Sequence, residues 1–157
     1  MNKFFIFFTA AFVFIACTKK NSASCNPVSP ASESNAIASF CNSYGIAYTV
    51  DSNGIYYQVV DPGSGETAGP DSTITVTYST TLLNGDIIDT MHLTSPITNP
   101  LNQFIEGWII AMPYIQEGGH IKMVIPSSLA YGCTGIDGLV PPNSPLYYDV
   151  ILVNVTH

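Results

Sequence analysis

Thiols and imidazoles are the side chains best suited to hold a metal. The chain has four cysteines, Cys17, Cys25, Cys41 and Cys133, and three histidines, His92, His120 and His157. They are scattered, and neither set has the spacing of ligands to one ion, so no metal and no cofactor is expected. Outside the cytoplasm thiols can pair and stay paired. Cys25 and Cys41 could then close a small loop, leaving Cys133 free or buried as a small apolar residue. Tyr78, Asp89, Trp108 and Tyr131 are bland when taken singly. A lone tryptophan belongs in a core, and an aspartate closing a hairpin strand is solvated. A tyrosine on an inward strand face needs only a partner for its hydroxyl, and Tyr131-Gly132 signals a turn.

The composition excludes several classes of partner. Four Lys+Arg against eleven Asp+Glu in 157 residues give a net charge of −7 and a pI near 4.5. No basic stripe exists to neutralise phosphates, which excludes nucleic acid, and no polybasic patch exists to adsorb to anionic lipid. With 46% hydrophobic residues the chain can bury a core. Phe4 to Ala16 is apolar and uncharged behind Lys3, shorter than the roughly 20 residues of a membrane-spanning helix. It reads as a secretory signal peptide over 1–16. Its end, Phe14-Ile15-Ala16-Cys17, resembles the bacterial lipobox, with Phe14 where leucine is usual. Cys17 is then the acylated residue, each buried methylene contributing about 0.8 kcal/mol to anchoring, and residues 17–28 are a polar tether.

Residues 29–53 read as a helical arm. Ser29-Pro30 pairs an N-cap with proline at the first helical position. Ile37, Phe40, Cys41 and Tyr44 share one helical face, and Gly45 ends it. From Gly54 the punctuation belongs to strands: Ile55–Val60, the strictly alternating Thr73–Tyr78, Ile121–Ile125 and the long Leu146–Val155. Asn84-Gly85 predicts a hairpin with a type I′ turn. Gly107–Met112 reads as a short helix stopped by Pro113. The expected class is α+β, an antiparallel sheet wrapped around one short helix and preceded by an amphipathic one.

Five blocks in register carry a resemblance. Tyr78-Ser-Thr-Thr-Leu-Leu-Asn-Gly85-Asp-Ile-Ile-Asp89, Phe104-Ile105-Glu-Gly107-Trp108, Ala130-Tyr131-Gly132, Leu139-Val140-Pro141-Pro142 and Leu146-Tyr-Tyr148-Asp149-Val150 together resemble the FKBP-type peptidyl-prolyl isomerases. The match runs from about Gly54 to Val155, which implies a domain over 54–157, and the front helix and lipobox resemble lipid-anchored members from Bacteroidetes-like bacteria. The resemblance implies an FKBP-like curved antiparallel sheet with an apolar pocket between sheet and helix. Trp108 would be its floor. Tyr78, Ile88, Phe104, Ile105 and Tyr148 would be its walls, Leu139 and Val140 would enter from a loop, and Ile97 would fill a further wall position. Asp89 and Tyr131 would supply polar groups.

Such a site implies catalysis of X-Pro rotation, whose barrier is about 18–20 kcal/mol because twisting breaks amide resonance. An apolar pocket favours the twisted, less polar amide over the planar one. The Ile105 N–H and Tyr131 hydroxyl would hold substrate carbonyls, and Asp89, held by Tyr78, would lie near the rotating carbonyl carbon. Ile88 stands where an aromatic is common, Ile136 where many members have histidine, and Tyr148 where phenylalanine is usual. The expected partners are proline-containing exported polypeptides, a membrane through lipid on Cys17, and as candidate ligands the family's macrolide inhibitors. Thr18 is not the aspartate that retains lipoproteins at the inner membrane, so the periplasmic face of the outer membrane is the expected place. A non-catalytic chaperone or binding module on the same fold is the alternative.

Overall fold

The strand Thr73–Leu82 (β3) organises the molecule. The computed structural model describes residues 25–157, so the expected signal peptide, Cys17 and the start of the tether lie outside the described residues. Along β3 the alternation seen in the sequence puts Ile74, Val76, Thr80 and Leu82 on the buried side. The long strand Leu146–Thr156 (β7) pairs antiparallel with β3 along its whole length, from Thr73 opposite Thr156 to Leu82 opposite Leu146.

The remaining strands are Thr49–Val50 (β1), Tyr56–Asp61 (β2), Ile87–Asp89 (β4), Ile97–Pro100 (β5) and His120–Ile125 (β6). All pairings are antiparallel, in the order β1-β2-β6-β7-β3-β4, with β5 also pairing to β3. The two-residue side-chain period divides the sheet into two apolar faces. Ile121, Met123, Ile125, Tyr148 and Val150 face a core shared with Trp108, Ala111 and Met112. Val124 faces the other side, where it meets Ile37, Phe40 and Cys41 of the N-terminal helix.

That N-terminal helix, α1, runs Pro30–Ser43 with Ser29 as N-cap, and Ile37, Phe40 and Cys41 are buried. Tyr44, grouped with them by spacing, is 59% exposed and lies over Phe40 with ring centroids 4.3 Å apart. The short helix α2 occupies Glu106–Ala111 and gives way to a 3-10 turn at Pro113. Gly107 lets α2 approach the sheet: a Cβ there would collide with the Ile125 side chain. This contact seats the next residue, Trp108, 1% exposed, and burying such a side chain contributes about 1.5–3 kcal/mol.

Two local expectations are corrected. The Asn84-Gly85 turn is not type I′, because Gly85 has φ +94° while Asn84 is not among the positive-φ residues. Leu82 and Asp86 close a three-residue loop in which glycine alone takes the left-handed position. The disulfide is also different: Cys25 pairs with Cys133, Cα–Cα 5.2 Å, and Cys41 is free. Cys41 shares the buried face of α1 with Ile37 and Phe40. It lies eleven residues into the helix from Pro30, about 16 Å along the axis from the end that Cys25 precedes.

Burial pushes the Cys41 thiol up to about 11. At pH 8 it is protonated and enclosed, and thiolate is the reactive form. Alkylation of the native chain at pH 8 is therefore expected to spare Cys41 until denaturant is added. A non-reducing digest should give Cys25 and Cys133 in one linked peptide; a Cys25–Cys41 link would refute the arrangement.

Candidate active site

The β3–β7 register brings three tyrosine- and threonine-bearing positions onto one face. Tyr78 and Thr80 project from β3, and Tyr148 from the position opposite Thr80. Asp89, at the end of β4, is also opposite Thr80. The Tyr78 hydroxyl donates to Asp89 Oδ2 at 3.0 Å. Burial, and then this carboxylate, push the Tyr78 phenol well above its ordinary range. It is a neutral donor that fixes the carboxylate's orientation.

Trp108 is packed by three rings. Tyr78 and Tyr148 meet it edge-on, each with centroids 5.4 Å away, and Phe104 stacks on it at 4.8 Å. These offset and T-shaped arrangements are the ones aromatic quadrupoles favour. Burial pushes the Tyr148 phenol strongly upward, and the neighbouring Tyr131 adds to the shift. Its hydroxyl, in place of the common phenylalanine edge, is therefore also a neutral donor. Thr80, opposite Tyr148 in the β3–β7 ladder, has its Oγ1 buried beside that hydroxyl and opposes part of the upward push.

Two connected cavities result. One of 210 Å³ is lined by Tyr78, Gln103, Phe104, Ile105, Trp108, Tyr131 and Tyr148. The other, of 470 Å³, shares Tyr78, Tyr131 and Tyr148 and adds Thr80, Ile87, Ile88, Asp89, Thr90, Ile136 and Leu139. Beyond Ile88 a groove of 420 Å³ continues over Leu139 and Val140 to Pro141-Pro142, with Asp86 and Asp137 in its lining. Ile105 is the N-cap of α2, and its carbonyl accepts the Trp108 and Ile109 N–H groups. Its own N–H donates to no backbone acceptor among the described residues.

The residues anticipated from sequence converge with one exception. Ile97 sits on β5 opposite Val76 and packs on the core, but lines none of these cavities. Val140, 2% exposed, lines only the outer groove. Several neighbours were not anticipated: Thr80, Ile87, Thr90, Gln103 and His92. His92 Nε2 lies 3.5 Å from Asp89 Oδ2, and its ring is 5.1 Å from that of Tyr78. The sequence signal for His92 was its place three residues after Asp89, which a 3-10 turn at Met91–Leu93 converts into proximity. Among the described residues no group of three His, Cys, Asp or Glu side chains could hold a metal ion.

The arrangement can grip an apolar ring against Trp108, offer neutral donors to carbonyl oxygens and hold one oriented carboxylate at the rim. Comparison with known proteins identifies the family. The family model of the FKBP-type peptidyl-prolyl cis-trans isomerases matches residues 64–153. FKBP-type peptidyl-prolyl cis-trans isomerase FkpA of Escherichia coli K12 is 42% identical over 105 residues, covering 66% of this chain and 38% of that protein. Outer membrane protein MIP of Legionella longbeachae is 33% identical over 104 residues, covering 66% and 45%. The chain therefore spans less than half the length of these curated relatives. The crystal structure of FkpA from Escherichia coli superposes with a TM-score of 0.71 at 36% identity, over 79% of this chain and 59% of that one. A peptidyl-prolyl cis-trans isomerase from Pseudomonas syringae gives 0.69 at 26% identity, over 84% and 99%.

Tyr78→Phe tests the orientation of Asp89. A hydrogen bond to a charged group contributes about 1.5–3 kcal/mol when buried, and partial exposure here reduces that to about 1 kcal/mol. Urea melts should show a loss of that order with the fold retained. An unchanged midpoint would mean that the hydrogen bond contributes nothing net.

Proposed function

The chain belongs to the FKBP-type peptidyl-prolyl cis-trans isomerases, and from that premise we propose that it accelerates X-Pro rotation in polypeptides of the cell envelope. The observation that carries the reading is the Trp108-floored aromatic cavity with Tyr131 and the Tyr78–Asp89 pair at its edge. The reaction breaks no covalent bond. Its barrier of about 18–20 kcal/mol is resonance lost as the amide twists, and spontaneous exchange takes tens to hundreds of seconds.

Each part of the site has a use in that rotation. The aromatic walls grip the proline ring and exclude water, so the less polar twisted amide is stabilised relative to the planar one. The Tyr131 hydroxyl and Ile105 N–H hold flanking carbonyls, so that rotation happens within a fixed substrate backbone. Asp89 places a fixed charge near the rotating carbonyl carbon. Ile88, Leu139 and Val140 extend the apolar contact along the chain on one side.

The envelope assignment is supported by the apolar leader and by Cys17 at a lipobox-like break. One relative is itself called an outer membrane protein. In this reading lipid on Cys17 holds the domain at the periplasmic face of the outer membrane. The substrate surface is acidic: Lys122 is the single Lys or Arg among the described residues, against eleven Asp and Glu. Lys122 alternates with the core residues Ile121 and Met123 on β6 and so points to the other face of the sheet. Basic substrates are therefore attracted and acidic ones repelled.

NMR exchange on Leu-Pro and Phe-Pro peptides should be accelerated by the protein. Tyr131→Phe should lower kcat/KM by about fivefold, the worth of a hydrogen bond near 1 kcal/mol, and Asp89→Val should lower it as well. Exchange no faster than in the free peptide, from folded protein that still binds it, would leave a binding module instead of an isomerase. Lysine-flanked proline peptides should outperform glutamate-flanked ones at low salt, the gap narrowing as screening rises. An equal preference at all salt concentrations would remove the electrostatic argument.

A further inference from the structure

The loop that carries Tyr131 is held from outside the sheet by the N-terminal arm. Glu33, in the first turn of α1, is 8% exposed. Its Oε2 accepts the Ser127 N–H at 2.9 Å and its Oε1 accepts the Ser127 hydroxyl at 2.5 Å. Ser127 is fully buried, and its carbonyl accepts the N–H groups of Ala130 at 3.0 Å and Gly132 at 2.8 Å. Tyr131 is thus suspended between two residues that hang from one carbonyl.

The other side of Tyr131 is tied to the same arm. Cys133 is bonded to Cys25. The Gly132 carbonyl accepts the Asn143 N–H at 2.8 Å, and the Asn143 side-chain amide donates to the Asn26 carbonyl at 3.1 Å. Residues 25–33 therefore hold the 127–133 loop at both ends, and Tyr131, which lines both inner cavities, lies between the holds.

A helix needed only to cover the sheet's outer face would do so with Ile37 and Phe40. Burying a carboxylate without a cation is unfavourable unless hydrogen bonds satisfy it. No Lys or Arg pairs with Glu33 among the described residues; two donors from one residue do that work instead. Such a satisfied polar contact specifies position where apolar packing would leave it loose.

We propose that the arm is a working part of the site, with Glu33, backed by the Cys25–Cys133 disulfide, a positioning residue that sets where the Tyr131 hydroxyl meets substrate. The inference rests on the isomerase reading of the pocket. It assigns Glu33 no contact with substrate; its whole effect passes through the loop.

A double-mutant cycle in the full chain tests this, with kcat/KM for prolyl exchange and peptide affinity measured beside urea melts. Glu33→Ala should remain folded at the assay temperature and lose about fourfold in kcat/KM, within the roughly fivefold expected when the Tyr131 hydroxyl is removed altogether, because misplacing a group costs at most what the group supplies. Glu33→Gln should recover most of it, since its amide can serve both Ser127 groups. In a Tyr131→Phe background Glu33→Ala should have less than a twofold effect, because coupled residues are not additive. Should Glu33→Ala not fold, Ser127→Ala removes one of the two hydrogen bonds and carries the same cycle. Equal losses in both backgrounds, or a Tyr131→Phe variant as active as the parent, overturn the inference while leaving an active isomerase. A parent that binds peptide without accelerating exchange sinks the isomerase reading alone, and the cycle is then read in affinity. A parent that does neither overturns both.

Discussion

The ladder between β3 and β7 is the constraint on which the site depends. Ten residues of β3 are paired with β7, and one register shift, between Thr75 and Val76, is absorbed near the far end from the site. Because side chains alternate, a slip of one residue would turn Tyr78, Thr80 and Tyr148 to the opposite face. Trp108 would then lose two of the three rings that pack it. The hydrophobic alternation of Ile74 and Val76 and of Val150 and Leu152 prevents that slip, since these residues are fully buried. The core therefore sets the pocket's geometry through the pleat, without any contact of its own with substrate.

On this frame the chemistry is supplied by groups that stay neutral or stay put. Burial keeps the phenols of Tyr78 and Tyr148 protonated, so each remains a donor. The one charge at the edge, Asp89, is oriented by Tyr78 and neighboured by His92. Rotation about an amide calls for a surface that fits a twisted bond better than a flat one, and rigid rings on a paired sheet are suited to that. Ile88 lines both the outer cavity and the groove bordered by Asp86 and Asp137.

Much of this was legible in residue order because periodicity and burial agree. The alternating strands and the Gly107-Trp108 helix start follow from patterns that tertiary structure had no reason to override, whereas the convergence of Tyr78, Asp89, Trp108, Tyr131 and Tyr148 was expected only from the resemblance that the five blocks carry. What escaped depends on distances between remote segments. Cys25 finds Cys133 across 108 positions, and spacing alone favoured the nearer Cys41. Glu33 reads as an ordinary exposed first-turn acid until Ser127 is seen to face it. Ile97 was expected in the pocket wall, but its pairing with Val76 commits it to a β5 edge position away from the cavities. The Asn84-Gly85 hairpin was found while its turn type was not, since loop length, set by the β3–β4 register, decides that.

The disulfide has a mechanical consequence when the chain is pulled from residue 25. Tension applied between residue 25 and the C-terminus crosses the Cys25–Cys133 bond and continues from residue 133 into β7. Everything between, α1 and the strands β1 to β6, sits inside a covalent ring and carries no load. The load falls on the one strand bracketed by two ladders, with β6 on one side and β3 on the other. Peeling it requires breaking both rows of hydrogen bonds, so the force-bearing path is also the best-reinforced one; Tyr78, Trp108 and Tyr131 lie inside the shielded ring, and Tyr148 is the one aromatic wall of the pocket that stands on the loaded strand.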